Sequence, residues 1–294
     1  MTRGDLSPEV QARIDSLLPD PMRRGDDILS LSPDMISAAF DPDSDVPIAS
    51  VCLLDALRTM SAARYALFES HAHGIYYREV ASPPQEMMAV WFEQFYVQDA
   101  AHRLYGAAED IAEALIMMLE VSPARLQKFK GRAVSQQAAV GRLLLEDHPA
   151  LAITGSIKAL TESTAWTATM SYRGRLVHEQ PPLVGGLGIV QSRQRRWRKT
   201  DNGGRYLAFG GGDLPEFDTA TLITTCRDAL EALLTAWDDS LHAFMEVLRE
   251  KGGIVLENGT LHIPDYFRDK LRSKPLRQSV ARSEEVPPTA PVRP

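Results

Sequence analysis

A chain of 294 residues, 44% hydrophobic and 24% charged, can bury a substantial core and has the balance of a soluble globule, not of a disordered or fibrous protein. Its net charge of -7 supplies no global field for nucleic acid or anionic membrane, so any such contact has to come from a local basic patch. Cys52 and Cys226 lie far apart in apolar helical settings and read as small buried hydrophobes in a reducing compartment, neither a disulfide nor a metal framework. The N-terminus has no apolar signal region and no apolar run approaches membrane-spanning length, so the expectation is a cytoplasmic chain with no membrane partner.

Ser7-Pro8-Glu9 is a helix start, with a capping hydroxyl, proline at the first helical position and an acid in the first turn. Val10, Ile14, Leu17 and Leu18 give that helix an apolar stripe, and Pro19 ends it. Residues 20–47 are rich in Asp, Pro and Ser and read as an irregular connector. A helix is predicted over 48–71, with Leu53, Leu57, Met60, Leu67 and Phe68 on one side, and Pro83-Pro84 marks the next boundary. The strongest helical pattern covers 88–120: Met88, Phe92, Phe95, Leu104, Ala108, Ile111, Leu115 and Leu119 recur at helical spacing, and Trp91, Tyr96 and Tyr105 widen the face.

Ser122-Pro123 restarts the chain, and Gly131 separates a short turn from a helix over 132–147. A further helix over 150–177 carries Ile153, Ile157, Leu160, Trp166 and Met170. The interval 183–213 differs in kind. Glycines crowd both its ends, and Asp201-Asn202-Gly203-Gly204 is a hairpin signal between two short extended runs, the first of them strongly basic. A clean helix resumes near 219, with Leu222, Cys226, Leu230, Leu233, Trp237, Leu241, Phe244 and Leu248 at the 3-4 spacing and Gly252-Gly253 at its end. A small hairpin over 254–263 turns about Asn258-Gly259, and beyond 273 the composition shifts to Arg, Ser, Glu and Pro, the signature of a disordered tail. Trp91, Trp166 and Trp237 are expected in one common core.

The candidate chemistry sits where the 150–177 helix ends, at Tyr172-Arg173-Gly174-Arg175-Leu176-Val177-His178-Glu179, before Gln180-Pro181-Pro182 stops it. A histidine near its ordinary pKa can take a proton from a ribose 2′-hydroxyl or return one to the leaving oxygen. Arginine offers a fixed fork to a phosphate as its charge rises. On a continuous helix, positions five residues apart lie about 140° apart, so the pair converges only if the helix opens near Gly174 or a second copy supplies one partner. Two further Arg–His pairs of comparable spacing occur, Arg64 with His71 and Arg142 with His148. The bland alternative makes His178 a helix-end histidine favoured by the dipole and Arg173 a surface charge.

Arg173 to His178 resembles the Arg-x-x-x-x-His signature of the HEPN superfamily of helical nucleotide-binding and ribonuclease domains. The segments 91–182 and 219–250 look like that bundle. The resemblance implies a mainly α fold: a HEPN-like helical bundle over 88–250 with a basic β-hairpin inserted at 183–213, an N-terminal helical extension over 1–87, a small C-terminal hairpin over 251–272 and a tail over 273–294. It also implies a metal-independent endoribonuclease of toxin or phage-defence type that acts on single-stranded RNA without a cofactor. In it Arg173 and His178 would be catalytic, with Arg175, Glu179 and Tyr172 as candidate helpers. Gly174 departs from the pattern, since many active members carry Asn, Asp or His immediately after the arginine. The alternative is a noncatalytic helical module that forms a homodimer or binds a helical protein partner or nucleotide, with 222–248 as one candidate seam.

The basic run Arg193, Arg195, Arg196, Trp197, Arg198 and Lys199 is the best local nucleic-acid feature, because arginines meet phosphates and an indole stacks on bases. Its alternative is a solvated hairpin whose charges protect a strand edge. His71-Ala72-His73, with His102 and Glu109 or Glu113, invites a metal reading. Two histidines one residue apart do not share a helix face, however, so no metal site is expected. The glycine clusters at 185–188 and 210–212 fit neither a dinucleotide nor a Walker loop.

Overall fold

Three long helices carry the molecule, and the shorter ones cover them. The computed structural model describes residues 5–25, 28, 36–37, 40, 43–131, 135–178, 195–199, 203–209, 217–257 and 260–262, with only the backbone given for 178, 195–199, 205–209, 252, 255–257 and 260–262. In chain order the helices are α1 (Pro8–Leu17), α2 (Pro21–Arg24), α3 (Val46–Ile75), α4 (Glu86–Met118), α5 (Pro123–Gln127), α6 (Gln136–Asp147), α7 (Ala152–Glu162), α8 (Thr164–His178) and α9 (Thr219–Gly252). A single π turn, Tyr76–Val80, extends α3. Strand β1 (Arg195–Lys199) pairs antiparallel with β2 (Arg205–Phe209), Trp197 opposite Leu207; β3 (Val255–Glu257) pairs in the same sense with β4 (Thr260–His262).

Helices α3 and α4 form an antiparallel hairpin whose facing surfaces are lined by small residues. Ala49, Ala56, Ala63, Ala66 and Ala72 of α3 and Ala89, Ala100, Ala101, Ala107 and Ala108 of α4 are all buried. Small side chains let two helix backbones approach closely, which brings many atoms into dispersion contact over the full length of both. Helix α9 packs on both, and the buried indole of Trp237 donates to the Leu53 carbonyl at 2.9 Å. Leu230, Leu233, Phe244 and Leu248 of α9 complete the core. Helices α6, α7 and α8 close the remaining side, α7 and α8 resting on α9 and α6 on α4.

Polar clips fix the periphery. The α1 cap is Ser7, whose hydroxyl accepts from the Val10 amide. Arg64 of α3 donates to the Pro19 carbonyl at 3.1 Å and to Asp15 at 3.0 Å, tying α1 down. Arg24 reaches Glu231 at 2.6 Å and Asp238 at 2.8 Å on α9. Gly25 sits so close to α3 that a Cβ there would lie 2.2 Å from Leu57. Helix α9 ends on Gly253, at φ 62°, with the Ile254 amide bonded back to the Leu248 carbonyl at 3.1 Å. That left-handed cap suits glycine.

Several expectations need correction. The helix expected over 150–177 is two helices: Ser163 is extended, its amide bonds to the Leu160 carbonyl, and its hydroxyl accepts from the Trp166 amide. A serine cap thus ends one helix and starts the next. Trp91 is not in the core with Trp166 and Trp237 but 49% exposed, and Met88 and Phe95 are exposed too. The buried stripe of α4 runs instead through Val90, Glu93, Gln94, Val97, Ala101, Leu104 and Ala108. Nor does every apolar run fall short of membrane-spanning length. The continuous helical stretch Val46–Val80 is long and apolar enough by length and composition, with Leu53, Leu57, Met60 and Leu67 from it used in the core. The tail over 273–294, most of the 20–47 connector, and the turn residues Asp201, Asn202, Asn258 and Gly259 lie outside the described residues.

Candidate functional site

The α8 corner is built on Tyr172, which anchors it. Its ring is 0% exposed and meets Phe217 edge-on, with centroids 5.4 Å apart, and burial pushes its hydroxyl up to about 12. A phenol so enclosed braces the helix and does not face a ligand. The next residue, Arg173, is half-buried with its guanidinium carbon 4.0 Å from the Tyr105 ring centroid, a cation–π contact; its Nε is buried without a hydrogen-bond partner. Arg175 is half-buried. His178 is the last residue of α8, Glu179 and Arg193 lie outside the described residues, and the backbone alone is given for Arg195, Arg196, Trp197, Arg198 and Lys199.

Helix α8 does not open at Gly174. It runs unbroken from Thr164 to His178, so positions 173 and 178 lie about 140° apart around its axis. A Cβ at Gly174 would meet nothing within 4 Å, so packing does not demand glycine there. Within one subunit the backbone therefore does not bring the two positions to one face.

Beneath Arg173 lies a polar seam. Burial pushes the Glu109 carboxyl above its ordinary value, opposed by the amide of Gln137, the Tyr105 hydroxyl, nearby Lys130 and the amide of Gln136 at the start of α6. One Glu109 oxygen and the Gln137 side-chain oxygen are buried without partners. Gln137 also lines a cavity of about 10 Å³ among Ala108, Ile111, Val140, Ile157 and Leu233, the scale of a single water. Among the described residues no three His, Cys, Asp or Glu side chains group as metal ligands. His73 is stacked on Phe92 and tilted against Tyr96, while His102 is exposed and meets the Gln98 carbonyl on its own helix.

The most exposed constellation is at the other end of α4. Met87 (67% exposed), Met88 (37%), Trp91 (49%) and Phe95 (53%) form a stripe on the face turned away from the core. Trp91 stacks on Phe95, centroids 6.0 Å apart at 14°, and meets Phe92 edge-on at 4.8 Å; Phe95 meets Tyr96 edge-on at 5.3 Å. A second layer lies under the first. Phe92 is parallel to Tyr77 at 5.4 Å and stacked on His73 at 4.3 Å, and His73 faces Glu69 at 3.7 Å.

The platform is held by an ion network. Arg78, on the π turn, grips both oxygens of the buried Glu93 carboxylate at 2.6 and 2.8 Å, and its Nε meets Glu86 at 3.0 Å. Thr219, the first residue of α9, donates to Glu93 at 3.0 Å, and Ser70 donates to the Glu93 carbonyl at 3.1 Å. A Cβ at Gly74 would sit 2.1 Å from the same carboxylate. Sequence reasoning missed this site because α4 carries two apolar rows, and the bulkier residues were placed on the inner one. The signal was available: positions 87, 91 and 95 form their own row, offset from 90, 94, 97 and 101. No protein-family model, curated protein or solved structure matches the chain.

Proposed function

We propose that this chain is a noncatalytic helical interaction module, and that the stripe Met87, Met88, Trp91 and Phe95 is its partner-binding surface. The observation that carries the reading is that two large aromatic side chains are half exposed yet held in place, stacked on each other and edge-on against the half-buried rings of Phe92 and Tyr96. Ordered aromatic anchors of this kind lose little side-chain freedom on binding, and they supply most of the energy where protein surfaces meet. The α8 corner fits the same view: Tyr172 is packed inside and Arg173 is occupied by Tyr105. A photo-cross-linking residue at position 91 should give a discrete protein adduct in cells, while one at the exposed Lys158 should not. Equal, diffuse labelling at both positions would remove this reading.

The ribonuclease reading rests on the resemblance of the segment from Arg173 to His178 to the HEPN motif, at the last described turns of α8. In that reading the 2′-hydroxyl attacks phosphorus, the bond to the 5′-oxygen breaks, and His178 shuttles the proton while Arg173 holds the phosphate. Arg175 and Glu179 assist, and the basic run from Arg193 to Lys199 carries the single-stranded RNA. Products ending in 2′,3′-cyclic phosphate should then form in excess chelator, and His178→Ala should slow their release roughly a hundredfold or more. Intact RNA under all conditions would leave the interaction module alone.

A further inference from the structure

Resting on the interaction-module reading, we propose that the occupant of the α4 stripe is a second copy of this chain. The two α4 helices would cross antiparallel on a two-fold axis on the outer face, at the level of the turn midway between 91 and 95, so that Trp91 of each copy meets Phe95 of the other and Met87 lies toward Asp99 of the other. Three observations converge on that occupant.

The first is the arrangement of the row. A two-fold contact must be self-complementary: if residue i touches residue j, then j touches i. Trp91 and Phe95 lie one turn apart on the outer face, so an antiparallel crossing midway between them pairs the indole with the phenyl ring twice over. Positions 87, 91 and 95 make an i, i+4 ridge, the kind that interdigitates with its own copy at about 50°. Crossing at that angle limits contact to two or three turns. The row spans about 12 Å of helix, which fits.

The second is area. From their exposed fractions, Met87, Met88, Trp91 and Phe95 leave on the order of 400 Å² uncovered per copy. A stable pair buries about 800 Å² on each side, with an apolar centre and a polar rim. The stripe is therefore the right size for the centre of such an interface, with the side chains around it as its rim.

The third is charge. Arg78 is paired with Glu86 and Glu93 at one end of the stripe, and Arg103 with Asp99 at the other, at 2.8 Å. A second copy can approach without burying either of these arginines unpaired. An anionic membrane is disfavoured, because these arginines are already neutralised and the chain carries a net charge of -7.

The experiment uses the full chain. Sedimentation should show the mass doubling across the micromolar range, and association should hold or strengthen as salt rises, since like-charged copies are being screened while the contact is apolar. Phe95→Glu should weaken the dimer about tenfold or more while helicity is unchanged. Because a charge beside Tyr96 could disturb folding, Trp91→Ala provides a milder second variant, expected to weaken association with its melting temperature preserved. With a photo-cross-linker at position 95 and a mixture of isotope-labelled and unlabelled copies, the adduct should join that position to the peptide carrying Trp91 of the other copy. A monomer at every concentration overturns the proposal, as does a dimer untouched by both variants or an adduct that maps to another surface. If the chain is monomeric but position 91 captures a different protein, the self-association fails and the binding surface stands. If position 91 captures nothing, both fall.

Discussion

Two arginines of this protein, Arg78 and Arg173, have opposite surroundings. Arg78 reaches two carboxylates, one of them buried, with every guanidinium nitrogen engaged. Arg173 has the face of Tyr105 and a buried Nε with no partner. The first joins the π turn to α4, and through Thr219 the shared Glu93 also meets α9. The second meets α4 through the face of that ring. An arginine that completes a charge pair is part of the scaffold, whereas one held by cation–π contact alone can be removed or recruited at small cost.

The largest expected effect tests the scaffold half of that contrast. Arg78→Ala would leave the Glu93 carboxylate, 6% exposed, without its counter-charge. Breaking a buried pair costs about 3–5 kcal/mol, and because Arg78 is itself 36% exposed the lower end applies, about 3 kcal/mol. Thermal unfolding should then shift down by roughly 6–12 °C. A shift below about 2 °C would mean that water already screens the pair.

Two glycines extend the comparison. Gly74→Ala should destabilise by about 1–3 kcal/mol, because the new methyl has to displace the gripped carboxylate, which sits 2.1 Å from its ideal position. Gly174→Ala should act in the other direction. It lies inside α8 with open space around its Cβ, so alanine should stabilise by about 0.5–1 kcal/mol. Denaturant midpoints of the two variants moving the same way would refute the assignment of one glycine to close packing and the other to an accessible helix surface.

These pairs also show what could be read from the chain alone. The helical period of α9 was fully legible, since Leu222, Leu230, Leu233, Trp237 and Phe244 are large, apolar and buried together. The α4 pattern misleads because the largest side chains on it are not the buried ones. Its inner row is alanine-rich, which lets α3 come close, and it admits Glu93, which only a long-range partner such as Arg78 can satisfy. Pairings between α3, α4 and α9 depend on tertiary contacts that a local periodicity does not contain. The helical run up to His178 is legible, but the break at Ser163 is not, because a serine within a helical pattern becomes a cap only when the chain turns there.

Acid should weaken the fold through the histidine buried at the aromatic platform. Burial lowers the pKa of His73 from its ordinary 6.5, and His71 is lowered by the same cause. The unfolded chain therefore takes up protons that the folded chain refuses, so stability is lost as pH falls below about 6.5 and stops falling once the folded groups titrate. A single site contributes at most about 1.4 kcal/mol per pH unit. His73→Phe should flatten the profile between neutral and mildly acidic pH, as read from urea midpoints. An equally steep profile in that variant would assign the effect to His71 or to the carboxylates.

The smallest effect is expected at the second arginine. Arg173→Leu removes a cation–π contact worth about 0.5–1 kcal/mol in a half-exposed setting. It also removes a buried donor that has no acceptor, and an unmade hydrogen bond of that kind costs about 1–3 kcal/mol. The leucine side chain still covers the Tyr105 ring, so little apolar contact is lost. Because Arg173 is only half-buried the lower end of that penalty applies, about 1 kcal/mol, so gain and loss nearly offset and the urea midpoint should stay within about 0.5 kcal/mol of the parent. This near-zero result separates Arg173 from Arg78, where the same loss of charge strands a carboxylate. It also makes Arg173→Leu a usable probe of the ribonuclease reading, because any loss of RNA cleavage would then report on phosphate binding and not on unfolding. A destabilisation above about 2 kcal/mol would show that the guanidinium is anchored as Arg78 is, and the contrast between the two arginines would fail.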